Sequence, residues 1–101
     1  MAKGYWIVRA DVANPEGYKN YLAANGTAFA KFGARFLVRG GPFEPVEGDA
    51  RSRNVVIEFP SYEAALACWN SPEYKAAKAE REGHAVADVV VIEGYDGPQP
   101  A

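Results

Sequence analysis

Soft metal ligands are nearly absent from this chain: one cysteine (Cys68), one histidine (His84) and one methionine occur in 101 residues. A single Cys excludes an internal disulfide, and one Cys with one His cannot supply the ligands of a structural zinc site within one chain. No metal and no bound cofactor are expected, and both shortages suit a reducing compartment. Long apolar runs are missing too. Met1-Ala2-Lys3-Gly4 leads straight into Tyr5-Trp6-Ile7-Val8-Arg9, too short and interrupted for a secretory segment, and no 18-residue apolar run follows, so a cytoplasmic location without membrane contact is expected. The eleven Lys and Arg are scattered among thirteen acids, for a net charge of −2. With no basic run to face a row of phosphates, nucleic acid is not an expected partner.

What is present is a regular alternation of strand and helix signals. The chain has the size of one domain, read here as residues 1–95, with residues 96–101 as a surface tail. A domain this small has little room for a pocket wholly inside its own core, so a site shared between subunits is attractive. The clearest junction runs from Ser52 to Leu66. Val55, Ile57 and Phe59 share one face of a strand while Asn54, Val56 and Glu58 share the other. Pro60 ends the strand, Ser61 caps the next helix and Glu63 stands in its first turn.

Upstream, Gly4 to Val12 alternates as a first strand, with Tyr5, Ile7, Arg9 and Asp11 opposing Trp6, Val8, Ala10 and Val12. Asn14-Pro15-Glu16 opens a helix whose stripe is Tyr18, Tyr21, Leu22, Ala28, Phe29 and Phe32, closed at Gly33. Gly26 weakens its interior by about 1 kcal/mol, so a bend or break is expected near Asn25-Gly26. Ala34 to Arg39 reads as a second strand, with Phe36 and Val38 opposing Arg35, Leu37 and Arg39. After Gly40-Gly41-Pro42, Phe43 to Val46 is expected to resume as an edge strand where Pro45 is tolerated. Beyond the helix from Ser61, which buries Ala65, Leu66 and Trp69, Ser71-Pro72-Glu73 starts another that shows Tyr74, Ala77, Lys78 and Arg81 on one face and stops at Gly83. Asp88 to Tyr95 is the last strand.

The order strand, helix, strand, strand, helix, strand predicts an α+β, ferredoxin-like βαββαβ fold: a four-stranded, mainly antiparallel sheet with helices on one face. The other face would expose aliphatic and aromatic side chains, which predicts a homodimer through the sheet. Polar residues alternating there, among them Arg9, Asp11, Arg35, Arg39, Asn54 and Glu58, are candidates for ion pairs.

At Arg39-Gly40-Gly41, Glu47-Gly48, Arg53, Val56-Ile57-Glu58-Phe59-Pro60, Ser71-Pro72-Glu73-Tyr74 and Arg81 the chain resembles the bacterial domain of unknown function 1330 family, over nearly its whole length. The resemblance implies a dimeric α+β barrel, two ferredoxin-like sheets packed face to face. That superfamily also holds cofactor-independent monooxygenases, lactone isomerases and haem-dependent enzymes. The family itself brings no established reaction, and no motif here matches the histidine-aspartate pairing of the related muconate-pathway branch.

Glu58, flanked by Val56 and Phe59, is the candidate general acid or base, against the alternative of a structural pair with Arg39 or Arg9. Arg39 beside Gly40 and Gly41 is a candidate holder of a carboxylate or enolate oxygen, helped by backbone N–H groups that glycines leave open; a structural kink is the alternative. His84, just past the Gly83 cap, is a reserve proton shuttle or simply a favourable cation at a helix end. Tyr74 and Arg81 share a helix face and are placed at a cleft mouth, while Tyr5, Tyr18, Tyr21 and Tyr62 are either pocket lining or core. Cys68 reads as core. The expectation is a pocket for a small organic acid or aromatic metabolite, with cofactor-independent acid/base or oxygenase-type chemistry; the alternative is a non-catalytic binding or interaction module.

Overall fold

A computed structural model describes residues 2–100. Its elements are β1 (Gly4–Val12), α1 (Pro15–Lys31), β2 (Arg35–Arg39), β3 (Arg53–Phe59), α2 (Tyr62–Asn70), α3 (Pro72–Arg81) and β4 (Ala85–Glu93). The strands form one sheet in the order β2-β3-β1-β4, with every neighbouring pair antiparallel. This is the ferredoxin-like arrangement that the order of elements predicts, the second crossover being split into two helices.

Local chemistry starts each helix where the sequence indicates. Asn14 Oδ1 accepts from the Gly17 N–H at 3.2 Å, ahead of Pro15 and Glu16. Ser61 Oγ accepts from Ala64 N–H at 3.0 Å. Ser71 acts twice: its Oγ accepts from Tyr74 N–H at 3.1 Å to start α3 and donates to the Cys68 carbonyl at 2.7 Å to finish α2. The corner between the two helices is therefore fixed by one hydroxyl. Gly33 and Gly83 take left-handed φ values of 71° and 79° at the exits of α1 and α3, where a side chain would be strained.

The core lies between the helices and one face of the sheet. Trp6, Ile57, Phe59, Ala28, Phe29, Ala65, Cys68, Tyr74 and Ala77 are buried in it. Gly4 is required where it stands, since a Cβ there would lie 2.3 Å from the Ser61 carbonyl oxygen. Burial pushes the Cys68 thiol up to about 12, so it is a packed neutral group.

Three elements depart from expectation. α1 runs unbroken through Gly26, because the residues around it, Tyr21, Asn25, Ala28 and Phe29, are all buried and packing outweighs one weak helix former. Phe43–Val46 forms no strand; residues 40–50 are an exposed loop, in which Pro42 and Pro45 have no N–H to offer a ladder. β4 begins at Ala85, three residues ahead of Asp88, because Val12 at the end of β1 is already there to pair with it.

Replacing Ser71 by alanine removes both of its bonds at a buried corner. Ser71→Ala is expected to lower stability by about 1–2 kcal/mol, seen as a lower urea midpoint at unchanged slope; an unchanged midpoint would mean that the two helices hold their angle by packing alone.

Candidate functional site

Strict alternation would put Arg39 on the same face as Arg35. The register shows otherwise: Arg35 faces Glu58 and Phe36 faces Ile57, but Val38 then faces Val56 and Arg39 faces Val55, with a bulge between Phe36 and Val38. The extra residue turns Arg39 to the helix side of the sheet. Its guanidinium carbon sits 4.0 Å from the centre of the Phe36 ring.

There it borders a cleft between β2, β3 and α1. Arg53 and Val55 form the floor, and Tyr18, Tyr21, Leu22 and Asn25 of α1 form the wall. Arg53 lies on this face because it alternates with Val55 and Ile57, and its guanidinium is 6.0 Å from the Tyr18 ring centre. Its Nε is fully enclosed and has no hydrogen-bond partner. Behind Tyr21, the largely buried Arg81 lies 5.5 Å from that ring. Among the described residues the ion pairs are Lys19 with Glu16, Lys31 with Glu73, and Arg51 with Asp11 and Asp88. None involves Arg39, Arg53 or Arg81.

The cleft is therefore rich in donors. Burial raises the Tyr21 phenol well above its usual range, the nearby Tyr74 adds to this, and Arg81 opposes it. Tyr18 is raised by burial and by Tyr21, with Arg53 and Arg81 opposing. Both phenols are thus neutral O–H groups near neutral pH. With its mouth the cleft spans ≈ 300 Å³, but the space clear of side chains is ≈ 20 Å³, about enough for one water. Anything larger enters only if side chains of the lining move.

The other residues singled out from the sequence are dispersed. Tyr74 is buried in the core, its hydroxyl 2.9 Å from that of Tyr21, so it touches the cleft only through Tyr21. Gly40 has φ +68°, and its N–H donates to the Asn54 carbonyl at 2.9 Å. A Cβ on Gly40 would approach Arg53 Nη1 to 2.7 Å, whereas Gly41 has nothing within 4 Å. Glu58 is on the opposite face, accepting from the Tyr5 hydroxyl at 3.3 Å and facing Arg35 across the ladder. His84 is at the other end of the sheet: its carbonyl accepts from Ala13 and Asn14 N–H, and its Nδ1 lies 3.1 Å from Asn14 Nδ2. Glu58 pairs beside Tyr5 and His84 precedes the partner of Val12, so roughly 23 Å of strand separates them. Arg39, Gly40 and Arg53 come together, with Arg81 behind; Glu58 and His84 stand apart. Two lining residues lie outside the set expected from the sequence, Arg53 and Asn25, and their signal is one of phase: an Arg alternating with Val55 and Ile57, and an Asn on the helical stripe of Tyr18, Tyr21 and Phe29.

The open face of the sheet carries Ile7, Val38, Val86, Val90 and Ile92, each between 41% and 60% exposed. Charge collects at the end where β1 finishes. Arg51 bonds Asp11 at 2.7 Å and Asp88 at 2.8 Å, Ser52 N–H donates to Asp11 at 2.9 Å, and Arg9 reaches the Asp49 carbonyl. The Ser52 N–H and Arg51 hold the Asp11 carboxyl below its usual range. A depressed carboxylate stabilises the fold above its unfolded pKa and ceases to as pH falls through its folded value. Urea unfolding is accordingly expected to show a decline in stability from about pH 4 downward, and Asp11→Asn to make that decline shallower. An identical acid limb in the variant would remove Asp11 from the account.

Comparison with known proteins adds the following. The family model for Domain of unknown function (DUF1330) matches residues 3–95. Among solved structures, a protein of unknown function from Rhodopseudomonas palustris is similar at TM-score 0.72 and 16% identity, covering 95% of this chain and 85% of that one. The cofactor-independent oxygenase SnoaB from Streptomyces nogalater is similar at 0.62 and 13%, covering 99% and 97%. A dimeric ferredoxin-like protein of unknown function from Thermobifida fusca is similar at 0.56 and 15%, covering 90% and 92%. These likenesses are of fold. No curated protein matches.

Proposed function

The chain belongs to the DUF1330 family, and from that premise we propose a cytoplasmic homodimer, joined through the open sheet face, whose cleft in each protomer binds a small organic acid with an aromatic or apolar body. The observation that carries the reading is the set of guanidinium groups without carboxylate partners around an aromatic cleft, in a chain of net negative charge. Half-buried Arg53 and buried Arg81 are cations of the kind that ordinarily pair, while Arg39 is exposed beside them. Here the acceptors are left for a ligand to bring. Arg39 is the contact at the mouth, Tyr18 and Tyr21 offer hydroxyl donors within reach of the wall, and Gly40 leaves room for Arg53.

Of catalysis and binding alone, the cleft favours binding. Its ionisable lining is guanidinium and phenol, without a carboxylate or imidazole. Glu58 and His84 lie outside it, so acid/base or oxygenase-type chemistry of the kind named for the Streptomyces relative would have to use the ligand's own ionisation. The dimer rests on the row of exposed aliphatic side chains on the open face, and on the dimeric state named for the Thermobifida relative.

Benzoate and other small carboxylates are expected to raise the melting temperature in a dose-dependent way. Arg39→Gln removes a charge-assisted contact worth about 1.5–3 kcal/mol, so its benzoate affinity is expected to fall roughly 10- to 100-fold. No shift with any carboxylate would refute the cleft as an anion site; an equal shift in the variant would remove Arg39 from it. Separately, Val90→Glu puts a charge in the middle of the open face and is expected to turn the dimer into a monomer by light scattering. A dimer that survives this change is joined elsewhere.

A further inference from the structure

Two of the cleft's guanidinium groups form a geometric pair. Arg39 lies opposite Val55, and Arg53 is the next residue along β3 on the same face. They are diagonal neighbours on adjacent strands, a spacing of about 7–8 Å with Cβ atoms somewhat closer, within reach of two long side chains. Both point to the helix side, both line the cleft, and neither has a carboxylate among the described residues. They differ in depth. Arg39 is exposed at the rim over Phe36, whereas Arg53 holds an Nε that is fully enclosed and unpartnered.

A structural reading of Arg53 would need a partner for that enclosed N–H. Tyr18 meets the rest of the guanidinium: its ring is at 6.0 Å, the outer limit of a cation–π contact, and hydrogen bonding with Arg53 opposes the rise of its phenol, but the Nε itself stays without a partner. Gly40 supports a different role. Its left-handed φ and missing Cβ leave the space in which Arg53 Nη1 sits, and any other residue there would meet the guanidinium at 2.7 Å. The bulge turns Arg39 inward, and Gly40 directly after it clears the room for Arg53. A monocarboxylate fills one guanidinium fork and leaves the other unmatched. Two forks on adjacent strands, in one cleft lined by Phe36, Val55 and the α1 tyrosines, can match two acidic groups on one flat body.

We propose that the ligand is a dianion with a flat apolar body, a benzenedicarboxylate in its simplest form, held by Arg53 inside and by Arg39 closing over it at the rim. This rests on the reading of the cleft as an organic-anion site and narrows it. Arg81, behind Tyr21, adds positive potential without touching the ligand.

Isothermal titration with benzoate and isophthalate, on the full chain and on Arg53→Gln, tests it. Isophthalate is expected to bind the unmodified protein at least tenfold more tightly than benzoate, and Arg53→Gln to bring the two together near the original benzoate affinity. Gly40→Ala, which displaces the guanidinium while keeping its charge, is expected to lose the same discrimination, and it serves should Arg53→Gln fail to fold. Equal affinities in the unmodified protein would overturn the dianion and leave the organic-anion site standing; no binding of either would overturn both. Discrimination that persists in both variants would overturn the role of Arg53.

Discussion

The indole of Trp6 ties the sheet to the whole helical layer. It lies edge-on to Tyr74 at 4.8 Å, to Phe29 at 5.3 Å and to Trp69 at 5.6 Å, and tilted against Phe59 at 5.3 Å, while its N–H donates to the Ala65 carbonyl at 2.9 Å. One residue of a central strand thereby touches a neighbouring strand and all three helices. Such edge contacts each add about 0.5–1.5 kcal/mol beyond the area they bury, and the hydrogen bond leaves no polar cost inside the core. The helical layer is fixed relative to the sheet at this point, and the wall of the cleft is fixed with it: Phe29 sits on α1 a short step from Tyr21, Leu22 and Asn25.

With the helices held, the character of the cleft follows from one inserted residue. A regular β2 would give Arg39 to the open face beside Arg35 and leave an aliphatic residue facing Val55. The bulge exchanges them. A cation enters the space between sheet and helices, and Val38 joins the aliphatic patch on the other side. The two faces become more distinct by the same local irregularity, one donor-lined and partly enclosed, the other apolar at its centre with ionic groups where β1 finishes.

The architecture was readable because its signals are local and repeated: caps at Asn14, Ser61 and Ser71, stops at Gly33 and Gly83, and a two-residue period in β1 and β3. The site was only partly readable. Arg39 and Gly40 stand out beside a glycine pair, and Arg53 follows from the period of its own strand. A bulge, however, leaves no mark in composition, so the face of Arg39 could not be deduced. Nor could the reach of α1 through Gly26, since packing on Asn25 and Phe29 decides it and packing is not a local property. The expected pairing of Glu58 with Arg39 fails for the same reason, leaving Arg35 opposite Glu58: faces propagate along a strand only while the register is unbroken.

Where the sheet begins and ends has its own consequence. The Gly94 N–H donates to the Lys3 carbonyl at 2.8 Å, so the start of β1 and the finish of β4 are side by side at one corner of the ladder. In connectivity the domain is a ring opened at that corner. The long exposed segment at residues 40–50 offers a second place to open it, because no strand pairing crosses there. A permuted chain, closed between Lys3 and Gly94 and cut near Gly48, would keep every hydrogen-bonded ladder and every helix intact. What such a permutation would conserve is the neighbour relations of the open sheet, β2-β3-β1-β4, under a different chain order.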